Sequence, residues 1–191
     1  YGEWALITGA SAGIGKAFAE AIAARGVNCV LTARREELLH ELARQLEDTH
    51  GIACRCIRED LAAPGAAERL AEAVSDLEIG LLINNAGFGY ATHFESADPN
   101  RIADMINLNC LAPAILTRLL ASKMLERGTG GIVLVASVLG VIPAPYQSVY
   151  GATKAFDLAF AVGLFGEYEK RGVDVIALCP STTRTEVFVA D

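Results

Sequence analysis

The chain has 191 residues, 52% hydrophobic and 20% charged, which suits one domain with a sizeable core and is short for two. Sixteen basic against 23 acidic residues give a net charge of -7, and no basic run of five occurs. Both facts argue against nucleic acid and against a polybasic membrane patch as partners.

Apolar runs alternate with amphipathic stretches from end to end. Trp4–Thr8 is a predicted strand and residues 14–25 a helix. A second strand, Asn28–Ala33, leads into a helix over residues 36–47, and a third over residues 53–57 into a helix over 64–74. A fourth strand, residues 81–84, precedes a long helical stretch over 101–127. The fifth, residues 132–136, precedes a helix over 148–170, and the sixth is Val173–Leu178. Near-continuous apolar strands suit parallel strands covered on both faces, so a Rossmann-type, doubly wound α/β sheet is expected as a single domain over 1–191. Gly26, Gly51 and Gly172 each follow a basic residue at a helix end and read as stop signals.

The turn after the first strand is Thr8-Gly9-Ala10-Ser11-Ala12-Gly13-Ile14-Gly15. Glycines between a strand and a helix let the backbone approach a pyrophosphate, and the helix N-terminus offers open N–H groups. Gly9, Ser11, Gly13, Ile14 and Gly15 are therefore candidate cofactor contacts. In NAD-binding proteins of this fold a carboxylate at the end of the second strand takes the ribose hydroxyls. Here that strand ends Thr32-Ala33-Arg34-Arg35. A guanidinium fork suits a 2′-phosphate, so NADP(H) is expected over NAD(H), with Arg34 as the first choice and Arg35 read as the start of the next helix.

Ser137 follows the fifth strand, and Tyr150-Gly-Ala-Thr-Lys154 follows it by thirteen residues. Tyrosine and lysine at i and i+4 share a helix face. A free phenol has a pKa of about 10, and a neighbouring ammonium favours the phenolate. Such a tyrosine can give a proton to a carbonyl oxygen or take one from an alcohol, with Ser137 bonding the same oxygen. Asn84-Asn85-Ala86-Gly87 forms a polar turn after the fourth strand, at the sheet edge where cofactors bind. Asn109 sits polar in the apolar stretch 105–120, either at the site or as a helix-packing amide. Asp60 and Leu61 follow the third strand, and Asp60 also reads as a helix cap.

With TGASAGIG, NNAG, Asn109, Ser137, YGATK and the segment from Cys179 to Thr185 in order, the chain resembles the short-chain dehydrogenase/reductase family over its whole visible length. The resemblance implies a catalytic tetrad of Asn109, Ser137, Tyr150 and Lys154. Lys154 would also bind the nicotinamide ribose, and Asn109 would hold a water of the proton relay. It implies Asp60 and Leu61 at the adenine, and Asn85, Ala86 and Gly87 along the adenine-side ribose. Thr183 and Thr185 would lie near the nicotinamide carboxamide, and Pro180 would be a further cofactor contact. Gly2-Glu3-Trp4-Ala5 and Ala33-Arg34 are similar to the hydroxysteroid and long-chain 3-oxoacyl reductase branch. Two departures stand out. Pro180-Ser181 replaces the usual Pro-Gly, and the chain stops at Asp191, where the family continues into a substrate-covering loop and a seventh strand.

The helix after Tyr150 is apolar on nearly every face, with Phe156, Leu158, Phe160, Val162, Leu164 and Phe165. One side covers the sheet and the other calls for a partner, so a homodimer or homotetramer is expected. The family resemblance implies that it forms through this helix and the stretch 101–127. Val138, Leu139, Val141, Ile142, Pro143 and Tyr146, with Phe88, Tyr90 and Phe94, point to a lipophilic ketone or alcohol.

The odd set Cys29, Cys54, Cys56, Cys110 and Cys179, with no CxxC pair, is read as buried, reduced thiols of a cytoplasmic enzyme. His40, His50 and His93 do not cluster with them, so no metal is expected. No run of about 18 uninterrupted apolar residues occurs, so no membrane span is expected in the visible residues. The chain opens at Tyr1 without methionine, and an upstream segment is expected. Two rival readings are an epimerase or dehydratase on the same scaffold and a catalytically silent NADP-binding regulator.

Overall fold

In a computed structural model of the chain, residues 1–181 are described. Six parallel strands form one sheet: β1 (Trp4–Thr8), β2 (Asn28–Ala33), β3 (Cys54–Arg58), β4 (Ile79–Asn84), β5 (Gly130–Val135) and β6 (Val173–Leu178). Their spatial order is β3-β2-β1-β4-β5-β6. The helices are α1 (Gly13–Ala23), α2 (Glu36–His50), α3 (Ala66–Ala73), α4 (Pro99–Ile106), α5 (Ala112–Arg127) and α6 (Ser148–Tyr168). The expected doubly wound architecture is present.

The two-residue period of a strand divides the core. Ala5, Ile7, Cys29, Leu31 and Ile83 pack against Ala19, Ile22, Leu39, Leu42 and Leu46 of α1 and α2. Leu6, Val30, Leu82, Ile132 and Leu134 point to the opposite face, against Leu70, Leu116, Leu120, Met124 and Leu164 of α3, α5 and α6. Strand β6 departs from the expected two-sided burial. Val173 and Val175 are buried while Asp174, Ile176 and Leu178 are exposed, because α6 covers one face of this edge strand.

The long helical stretch is continuous from Pro99 to Arg127 but is interrupted by a π-helical turn at Asn107–Leu111. Pro113 explains its place. It has no N–H to offer the Asn109 carbonyl one turn back, and the Ala112 N–H bonds the Asn107 carbonyl instead. By length and composition Pro99–Arg127 could cross a membrane, with a mean hydropathy of 1.3 over its most apolar window. Leu116, Leu120 and Met124 nonetheless belong to the core beside the sheet. The sequence shows no such run because Asn, Thr, Arg and Ser interrupt it.

The cysteines depart from expectation. Cys29 is buried, Cys54, Cys56 and Cys110 are half-buried, and Cys179 is exposed at the open end of β6. Burial pushes the Cys29 and Cys54 thiols up to about 12 and that of Cys110 up to about 11, which leaves them weak nucleophiles near neutrality.

Candidate active site

Strand order reverses between β1 and β4, and the connections that leave their carboxyl ends go to opposite faces of the sheet. A cavity of about 760 Å³ opens at this point, within the usual size of small-molecule sites. Its lining extends from Arg34, Arg35, Asp60 and Leu61 to Ser137, Tyr150 and Lys154, with Pro180 and Ser181 beside them. Thr183 and Thr185 lie outside the described residues.

Backbone builds the first end. Gly9 and Gly13 have φ of 66° and 56°, in the left-handed region that favours glycine. Helix α1 starts without a side-chain cap or an early acidic residue, and Ala12, Gly13 and Ile14 line the cavity. Helix α4 is the contrast, since Asp98 Oδ1 accepts from the Asn100 N–H at 2.9 Å. Gly15 does not line the cavity. A Cβ there would press on the Gly9 carbonyl and stand 2.5 Å from Asn85 Nδ2, so this glycine lets α1 approach the turn.

Thr8, which sequence reading passed over, ties β1 and β4 together. Its buried hydroxyl donates to the Ile83 carbonyl at 3.3 Å and accepts from the N–H groups of Asn85 and Ala86, both at 2.9 Å. The Asn85 amide returns the bond, donating to the Thr8 and Gly9 carbonyls at 2.9 and 3.3 Å. Asn85 thus shapes the turn with its side chain, while Ala86 and Gly87 line the cavity beside it.

Both arginines after β2 line the cavity. Arg35 stands at the start of α2 and is exposed, as expected, and it also donates to Ser11 Oγ at 3.2 Å across the glycine turn. Glu59 is engaged by Arg69 at 2.8 and 3.1 Å, and Asp60 Oδ1 accepts from the Ala62 N–H at 3.1 Å, which closes a turn and does not cap a helix, since α3 starts only at Ala66 after Gly65.

Buried side chains build the second end. Asn109, Ser137, Tyr150 and Lys154 are 1%, 7%, 6% and 5% exposed, values unusual for four polar groups unless something holds them. Asn109 Oδ1 accepts from the Phe88 N–H at 3.2 Å, and Nδ2 donates to the Phe88 carbonyl and Thr153 Oγ1, both at 3.0 Å. Its amide therefore clamps the loop after β4 to α6. Ser137 Oγ accepts from the Leu139 N–H at 3.2 Å, which leaves its hydrogen to donate elsewhere. Lys154 Nζ donates to the Val135 carbonyl at 2.8 Å and to Asp157 Oδ2 at 3.0 Å.

Two glycines shape this end without any motif to announce them. A Cβ at Gly89 would lie 2.5 Å from the Tyr150 ring, and one at Gly140 would lie 2.6 Å from the Lys154 backbone. Around Tyr150, Phe88, Val138 and Leu139 line the large cavity, and Tyr90, Phe94 and Tyr146 line a small one of about 20 Å³. Val141, Ile142, Tyr146 and Phe94 are exposed. The Thr92 N–H to Tyr146 carbonyl bond, 2.9 Å, joins the two loops that carry these apolar side chains.

Residues 3–190 match the family described as short chain dehydrogenase. The very-long-chain 3-oxoacyl-CoA reductase of Mus musculus is 36% identical over 97% of this chain, and the hydroxysteroid dehydrogenase-like protein 1 of Gallus gallus is 35% identical over 98% of it. The chain spans 61% of the first relative's length and 57% of the second's. Among solved structures, a short-chain dehydrogenase from Sphingobium yanoikuyae in complex with NADPH superposes with a TM-score of 0.93 at 40% identity, over 96% of this chain and 72% of that one. A bulky-bulky ketone specific alcohol dehydrogenase from Comamonas testosteroni gives 0.92 at 37% identity, over 95% and 73%. With the glycine turn, the Asn109 clamp and the Ser137, Tyr150 and Lys154 cluster in place, the chain belongs to the short-chain dehydrogenase family.

Proposed function

We propose that this chain carries the catalytic site of an NADP(H)-dependent oxidoreductase that interconverts a lipophilic ketone or aldehyde and its alcohol. The observation that carries the reading is the shared cavity, with Tyr150, Ser137 and Lys154 at one end and the glycine turn and two guanidinium groups at the other. The residues present fit the cofactor. Gly9, Gly13 and the uncapped start of α1 suit a pyrophosphate, and Arg34 with Arg35 suits a 2′-phosphate. The NADPH complex of the Sphingobium yanoikuyae relative supports the same choice.

When bound, the nicotinamide supplies the hydride for reduction and accepts it in oxidation. Tyr150 gives its phenolic proton to the carbonyl oxygen, or takes it back from the alcohol. The Lys154 ammonium favours the phenolate left behind. Ser137, oriented by the Leu139 N–H, donates to the same oxygen as charge develops there. Asn109 positions the Phe88 loop through its side chain, and by the family resemblance it would hold a water of the proton relay.

The apolar side chains around Tyr150, together with the names of the oxoacyl-CoA and bulky-ketone relatives, support a lipophilic substrate. Exposed Ile106, Leu111 and Leu119 on the Pro99–Arg127 helix, and Phe156, Val162 and Phe165 on α6, support a homodimer or homotetramer. A stable monomer in sedimentation at micromolar concentration would contradict that part. Free thiols support a reducing compartment such as the cytoplasm.

The test is NADPH consumption with bulky ketones by the complete polypeptide. Tyr150→Phe is expected to lose about 10²–10⁴-fold in turnover while binding NADPH as tightly as the parent. Undiminished turnover in that variant contradicts the mechanism.

A further inference from the structure

One buried charge lies beyond the tetrad. Asp157 stands three residues after Lys154 on α6, on the same face, and the two side chains are 4% and 6% exposed. Its Oδ2 accepts from Lys154 Nζ at 3.0 Å, and its Oδ1 has no hydrogen-bond partner among the described residues. A buried ion pair of this kind is a poor way to stabilise a helix, because an apolar side chain would fill the space without desolvating two charges. The carboxylate therefore calls for a role other than packing.

We propose that Asp157 is a positioning residue for the reaction, holding the Lys154 ammonium and setting the pH range in which Tyr150 exchanges its proton. This rests on the reading of Tyr150 and Lys154 given above. Lys154 Nζ has three hydrogens. The Val135 carbonyl and Asp157 take two of them, which fixes where the third points. Gly87 leaves space beside Nζ that a side chain would take, since a Cβ there would stand in contact at 3.4 Å.

The groups that face the pair are few in kind. Strand β5 presents the Val135 carbonyl, the loop after β4 presents Gly87, and on α6 itself Tyr150 lines the same cavity as Lys154. The π turn presents Asn109, which is neutral, and Cys110, whose thiol burial holds at about 11 with Asp157 adding to the shift. Burial raises the Asp157 pKa and the Lys154 charge opposes that rise.

An anion at this place stabilises the positive charge of the ammonium beside it and offsets its pull on a phenolate. In alcohol oxidation kcat/KM is expected to have an acid and an alkaline limb, set by the proton-transfer groups of the site. Asp157→Asn keeps the size and the acceptor oxygen but not the charge. Both limbs are expected to move to lower pH by about one unit, so the rate on the acid limb rises about tenfold. Asp157→Glu, which keeps the charge, is expected to stay near the parent profile.

The experiment is the pH profile of NADP-dependent alcohol oxidation by the complete protein, its Asp157→Asn and Asp157→Glu variants, and Tyr150→Phe. If Asp157→Asn does not fold, Asp157→Val replaces it and is read in the same way. Limbs that stay in place while only thermal stability changes would overturn the inference and leave Asp157 a structural residue. Turnover that survives in Tyr150→Phe would instead take down the underlying reading of the site. An inactive Tyr150→Phe beside an unshifted Asp157→Asn would count against Asp157 alone.

Discussion

The two ends of the cavity are made of different materials. At the glycine turn the lining is mostly backbone, held by Thr8 and Asn85, and what matters is how closely chains approach. At the tyrosine end the lining is mostly side chains, with Ser137, Tyr150 and Lys154 polar and nearly fully buried, and what matters is which charge each carries. Added volume should therefore damage the first end, and altered charge the second. A dinucleotide needs a contoured surface along its length, whereas proton transfer needs a few groups in fixed ionisation states.

The largest effect on the charged end is expected from Lys154→Met. Turnover should fall about 10²–10⁴-fold, and the protein should lose about 3–5 kcal/mol because Asp157 is left buried without its partner. Adding Asp157→Val is expected to recover most of the stability, read by denaturant melts, and none of the turnover. At the glycine end Gly15→Ala is expected to cost about 1–3 kcal/mol and to weaken NADPH binding, because the new methyl meets the Gly9 carbonyl and Asn85. Thr8→Val leaves the N–H groups of Asn85 and Ala86 without their acceptor, at about 1–3 kcal/mol in the same melts. The mildest effect, Arg34→Ala, breaks neither end. It should weaken NADPH about tenfold and leave NADH unchanged in fluorescence titrations, since one charge-assisted contact is lost. Equal weakening of both coenzymes would assign the guanidinium to the turn and not to a 2′-phosphate.

The existence of all six strands and their places along the chain could be read from the sequence, because most of them are plain apolar runs between helical patterns, while their spatial order came from the fold. The candidate site residues could be named because six motifs occur in order and together resemble one family, whereas a tyrosine and a lysine four apart are common on helices by chance. What escaped was pairwise. Thr8 looks like any strand-end threonine until Asn85 arrives beside it from another strand. Gly89 acquires a purpose only once the Tyr150 ring lies against it. Arg35 reads as a solvated helix start, and only the fold brings Ser11 within its reach. The one-sided burial of β6 was hidden as well, because Val173, Val175, Ile176 and Leu178 are equally apolar whichever way they point. Asp157 was lost among its apolar neighbours, where a single acid in a helix passes for a solvated face.

A crystal structure of the complete protein with NADPH and an unreactive ketone analogue tests the central claim most directly. The account predicts the analogue's oxygen within about 2.6–3.2 Å of both Tyr150 Oη and Ser137 Oγ, with the nicotinamide stacked beside them. An analogue seated elsewhere, or a Tyr150 hydroxyl turned from the coenzyme, would contradict it.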